Sequence, residues 1–75
     1  MKIFVLCSYT DGLNDPVVST DYEKIYEHMK RSYNLLLDGV SQIEEEKENT
    51  YLEAYSAQAV IHGDWMEWRI SELVI

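Results

Sequence analysis

A chain of 75 residues, 47% of them apolar, makes one domain over residues 1–75 and is too short to wall off a large ligand cavity. Fourteen acidic against six basic residues give a net charge of −8, which argues against gripping a nucleic-acid backbone and reads first as keeping a small protein dispersed, with a basic protein surface as the complementary partner in the alternative reading. The lone Cys7 excludes an internal disulfide, and the apolar run Ile3–Cys7 is too short for a secretion signal or a membrane span, so a cytoplasmic location is expected.

The first strand is expected over Lys2–Tyr9, where β-branched and aromatic residues dominate. Ile3, Val5, Cys7 and Tyr9 share one face, and Phe4 and Leu6 the other. Both faces are apolar, so something is expected to cover the outer one. Residues 10–18 read as a loop. Its Asp11, Asn14 and Asp15 lack the ligand series of a calcium loop and suit local Asx turns instead.

Thr20-Asp21-Tyr22-Glu23 has the pattern of a capping box with Thr20 as the cap. Apolar residues follow at 22, 25, 26, 29, 33, 36, 37, 40 and 43, a helical stripe. Because the stripe stays in phase past Gly39, the helix is expected to run to about Glu46, with a break at Gly39 and a second short helix as the alternative. The run Glu44-Glu45-Glu46-Lys47-Glu48 would then place negative charge at a helix C-terminus, an unfavourable location.

A second strand is expected from Thr50 to His62 and a third from Trp65 to about Val74. With Gly63-Asp64 as a two-residue turn, Ala59 faces Trp68, Ala57 faces Ile70 and Val60 faces Glu67. Ala57, Ala59, Ile61, Met66, Trp68, Ile70 and Val74 then form a face for the helix. Gln58, Val60, His62, Trp65, Glu67, Arg69 and Ser71 form the other, with Arg69 near Gln58 and Glu67. Phe4, Leu6 and Leu73 are expected to join that outer face. The fold class is α+β: a two-layer β-α-β-β unit, one long helix packed on a three-stranded, mainly antiparallel sheet, with the third strand in the centre, or, as the alternative, strand one parallel beside strand two through a right-handed crossover.

Cys7, His28 and His62 show no metal-ligand or nucleophile spacing, and three scattered glycines make no phosphate loop. A mid-strand Cys7 is expected to be buried and inert. No catalytic residue, cofactor or metal is expected, and the chain reads as a non-enzyme. The candidate interaction residues are Trp65, Glu67, Arg69, Val60 and His62 on the outer face, with the acidic Glu44, Glu45, Glu46 and Glu48. A protein partner or a second copy, in a homodimer, would cover this surface; direct nucleic-acid or membrane binding is not expected.

The ending Gly63-Asp64-Trp65-Met66-Glu67-Trp68-Arg69-Ile70-Ser71-Glu72-Leu73, after a short apolar strand and one helix, resembles small uncharacterised proteins of bacterial mobile elements and phages. The resemblance implies no catalytic residues. It implies an accessory role, such as inhibition or nucleic-acid mimicry directed at a basic host protein.

Overall fold

The computed structural model describes residues 1–75. Its chain order is β1 (Lys2–Tyr9), β2 (Val17–Ser19), α1 (Tyr22–Leu37), α2 (Glu44–Glu48), β3 (Tyr51–Leu52), β4 (Ser56–Ile61) and β5 (Asp64–Val74). The class is α+β with an antiparallel sheet, and the sheet has five strands rather than three, in the order β2-β1-β5-β4-β3. The three long strands are the expected ones, and the last of them is central. The additions are the short edges β2, from within the loop, and β3, split from the start of the expected second strand by a turn at Glu53–Tyr55. Edges this short offer little backbone for pairing with another chain.

The β4–β5 hairpin differs from the expected register. Ala57 pairs with Trp68, Ala59 with Met66, Val60 with Trp65 and Ile61 with Asp64. The turn is therefore His62-Gly63, not Gly63-Asp64. Both turn residues have positive φ, 52° and 84°, the backbone of a type I′ turn whose twist suits a hairpin. Moving the loop by one residue changes each partner by two positions. Side chains alternate with period two, so every residue of β4 and β5 keeps the face the sequence assigned to it.

Strand β1 is corrected in its orientation. Phe4 lies opposite Glu72 and Leu6 opposite Ile70, on the helix side, and both are buried. The outer face instead receives Ile3, Val5, Cys7 and Tyr9. Cys7 is exposed rather than buried. A strand apolar on both sides does not declare its inner face; the match of Leu6 to Ile70 and the contact of Phe4 with Tyr22 decide it.

Helix α1 is capped by Asp21, not Thr20: the Asp21 carboxylate accepts from the Glu23 N–H at 3.0 Å, and the Asp21 N–H donates to Ser19 Oγ at 3.0 Å. The helix ends at Leu37. Asp38 is extended, and Gly39 takes φ +70°, a backbone that suits glycine at a helix end. The long helix is thus two, the alternative reading. Glu44, Glu45 and Glu46 become the first turn of α2, where negative charge is favourable, so the anticipated conflict with the helix dipole disappears.

One core lies between α1 and the sheet. Ile25 and Met29, four residues apart on α1, are fully buried against Phe4, Leu6, Ala57, Ala59, Met66, Trp68 and Ile70. Burial of each large side chain contributes about 1.5–3 kcal/mol. Ala57 opposite Trp68 leaves room for the indole, which is 2% exposed, meets Tyr33 edge-on at 5.9 Å and donates its N–H to Ser32 Oγ at 3.0 Å. At the other end Tyr22 bridges Phe4, Tyr26 and Tyr55 and donates its hydroxyl to the Ala54 carbonyl. No helix is long and apolar enough to cross a membrane.

Candidate functional site

The helix covers one face of the sheet, and the opposite face has no second layer. Alternation places Val18 of β2, Ile3, Val5, Cys7 and Tyr9 of β1, Trp65, Glu67, Arg69, Ser71 and Leu73 of β5, and Gln58 and Val60 of β4 on that side. The pairings lay out its chemistry. Ile3 lies opposite Leu73 and Val5 opposite Val18, making an aliphatic end. Cys7, Arg69 and Ser56 run across the middle. Tyr9, Glu67, Gln58 and Tyr51 form the next row, and the Val60–Trp65 pair closes the far end.

The expected cluster of Glu67, Arg69 and Gln58 does not form. The only ion pair in the chain joins Lys2 and Glu72 at 3.5 Å, and neither Glu27–Lys30 nor Glu27–Arg31 on α1 closes into one. Gln58 is drawn away by the Asn49 carbonyl, to which its Nε2 donates at 2.7 Å. Arg69 and Glu67 remain exposed on the open face.

At the Trp65 end the site is built by α2. The chain from Gly39 turns back and lays α2 beside the free edge of β4, beyond the short β3. The Val60 N–H donates to Thr50 Oγ1 at 3.1 Å, and Gln42 Nε2 donates to the Val60 carbonyl at 2.7 Å. Thr50 Oγ1 also accepts from Gln42 Nε2 at 2.9 Å and donates to the Glu46 carbonyl at 2.8 Å. Side chains thus satisfy the edge that a neighbouring strand would otherwise pair with. Val60 is buried here, outside the main core.

Glu46 fastens α2 to the hairpin turn. Its two carboxylate oxygens accept from the Ile43 N–H at 3.2 Å and the Gly63 N–H at 2.9 Å, and the residue is only 8% exposed. The Gly63 hydrogen bond, followed by those from Ile43 and His62 and by the attraction of His62, holds the carboxyl below the ordinary glutamate value, while burial works against the shift. Glu46 is therefore an ionised structural anchor, not part of the exposed acidic surface to which the sequence pattern assigns it. Glu44, Glu45 and Glu48 are exposed.

Ile43, Glu45, Glu46, Asn49, Val60, Gly63 and Trp65 line a recess of about 220 Å³ between α2 and the hairpin. Trp65, 51% exposed, and Ile43, also exposed, stand over a floor that includes Val60. The candidate residues Trp65, Val60, Glu45 and Glu46 meet in this recess. Glu67 and Arg69 lie on the open face and line a separate depression with Cys7, Tyr9 and Leu13. His62 lines a neighbouring depression with Leu36 and Val40, one that shares Gly63 and Trp65 with the recess. Glu44 and Glu48 belong to α2 but not to the recess. Ile43 and Asn49 were missed by the sequence reading; no local pattern shows that Gly39 would return them to the hairpin.

Cys7, His28 and His62 lie in three different surface depressions. No group of three or more His, Cys, Asp or Glu side chains comes together in a form that could hold a metal ion. No protein-family model, curated protein or solved structure matches the chain.

Proposed function

We propose that this chain is a small acidic, non-enzymatic interaction protein that binds a basic protein through the Trp65 end of its open sheet face and the adjoining exposed carboxylates of α2. The observation carrying this reading is Trp65: a half-exposed indole, set in a recess with Ile43 and Val60 and beside the acidic helix. Tryptophan is among the residues that most often anchor interfaces, and a net charge of −8 steers a positively charged partner toward the surface. The setting we propose is a mobile-element or phage accessory role within the cytoplasm, including mimicry of nucleic acid toward a host protein. That setting rests on the resemblance of the Gly63–Leu73 ending.

The test is capture from a bacterial host extract, followed by measurement of the partner's affinity at two salt concentrations. Binding is expected to weaken at least about tenfold between ~0.05 and ~0.5 M salt, and Trp65→Glu is expected to abolish it. Salt-insensitive binding refutes the mimicry.

A second reading, a homodimer formed through the same sheet face, is favoured by its aliphatic end, where the half-buried Ile3 and Val5 lie beside the exposed Leu73 and Val18. Sedimentation separates the two. A salt-independent dimer that dissociates on Leu73→Glu supports self-association, whereas a monomer leaves the face to a foreign partner.

A further inference from the structure

Glu46 has an unusual environment. It is a nearly buried carboxylate held in its ionised form by backbone N–H groups, with His62 near enough to attract it but no ion pair formed; the chain's one ion pair lies elsewhere, between Lys2 and Glu72. The Ile43 and Gly63 N–H groups each donate to one oxygen and the His62 N–H adds a weaker contribution, which leaves the carboxylate acceptor positions to spare. These donors stabilise the charge where it stands, so Glu46 is a fixed negative charge with acceptor capacity left over. The same carboxylate lines the recess whose other walls are the Trp65 indole, the exposed Ile43 and Glu45, and whose floor includes Val60.

We infer that the recess receives one cationic side chain of the partner, an arginine or lysine, with its aliphatic stem against Val60 and Ile43 and its charged head between the Trp65 ring and the Glu45 and Glu46 carboxylates. This rests on the interaction reading above and specifies what the partner inserts. The size of the recess agrees: about 220 Å³ admits a single long side chain, and lies below the ~300 Å³ at which pockets for small molecules begin. Long cationic side chains combine an apolar stem with a charged tip, matching the apolar floor and acidic wall. Arginine is the better fit, because a guanidinium stacks on an indole and presents several N–H donors to paired carboxylates. The Glu46 charge is already fixed in place by Ile43 and Gly63, so binding needs no ordering of that group.

The experiment is a titration of the ¹⁵N-labelled chain with tri-arginine, tri-lysine and the neutral analogue tri-citrulline, each against an equal ionic strength of sodium chloride. Tri-arginine is expected to move the Gly63 amide, the Trp65 indole N–H and the Asn49 side-chain amide along one saturating curve, tri-lysine to do so more weakly, and tri-citrulline not at all. Trp65→Leu and Glu45→Gln are each expected to weaken the tri-arginine affinity about two- to fivefold. An unmoved Trp68 indole N–H shows that the fold is intact in both variants. Shifts spread evenly over Glu23, Glu27, Glu44 and Glu53, or a recess response indifferent to both substitutions, overturn the inference. If recess resonances ignore tri-arginine while capture of a basic protein still depends on Trp65 and on salt, the recess assignment alone falls. If that capture also fails, the interaction reading falls with it.

Discussion

Replacing His62 with valine sets the two possible hairpin registers against each other. With Gly63-Asp64 as the turn, residue 62 is the last residue of a strand, and a β-branched side chain there is neutral or favourable. With His62-Gly63 as the turn, residue 62 has φ 52°, a left-handed backbone that histidine tolerates and valine does not. Left-handed backbone costs a residue bearing a Cβ about 1–2 kcal/mol, and a β-branched residue lies at the upper end. Histidine already incurs the lower end, so the change costs about 1 kcal/mol; unfolding entropy near 2.1 cal/mol/K per residue gives roughly 0.16 kcal/mol/K for 75 residues, and His62→Val is expected to lower Tm by about 6 °C. His62→Asn creates the Asn-Gly pair preferred in type I′ turns and is expected to raise stability by about 0.5 kcal/mol, or Tm by about 3 °C. Thermal unfolding followed by circular dichroism measures both. A valine variant as stable as the parent, or an asparagine variant less stable, refutes the His62-Gly63 turn and with it the placement of the Gly63 N–H on Glu46.

Three further outcomes follow from the same geometry. Asp21→Ala is expected to cost about 1 kcal/mol in denaturant unfolding and Thr20→Ala less than about 0.5 kcal/mol, because Asp21 accepts the Glu23 N–H; the reverse order restores Thr20 as the cap. Ser32→Ala strands the buried Trp68 N–H and is expected to cost about 1–3 kcal/mol, yet in a Trp68→Phe background the same change is expected to be nearly neutral, so equal costs in the two backgrounds contradict the hydrogen bond. Glu46 has a folded-state pKa below the ordinary value of 4.5, so its contribution is fully present above that value and is lost as pH falls through the lower folded one. Stability measured against pH is therefore expected to lose part of its acid slope below about pH 4.5 in Glu46→Gln, and an unchanged slope removes Glu46 as the pH-sensitive anchor.

Only part of the candidate site was legible in residue order, and what escaped it has a common cause. Trp65 on the open face and Trp68 in the core follow from alternation along one strand, and no choice of turn alters them. The recess around Trp65 was not legible, because it is assembled by contacts that no local pattern encodes. The Glu46 carboxylate reaches Gly63, 17 residues away, and Gln42 reaches the Val60 carbonyl, 18 residues away. An acidic run reads as a solvated surface until one member finds backbone donors. Glu44, Glu45 and Glu48 keep that character, whereas Glu46 loses it.

While the tertiary structure chose between the two sheet orders the sequence allowed, the sequence by itself determined the α+β class, the three long strands and the face of every side chain in β4 and β5. These follow from period-two and period-3.6 patterns, which act within a segment. Tertiary structure alone decided which face of β1 turns inward, where α1 stops, which residues make the hairpin turn, and that Glu46 is anchor rather than surface. Each is a choice between locally similar alternatives: two apolar faces of one strand, a stripe that stays in phase across Gly39, two neighbouring two-residue turns, four nearly equivalent glutamates. The balance in each is struck by partners distant in sequence, Ile70 and Tyr22 for β1 and the Gly63 N–H for Glu46.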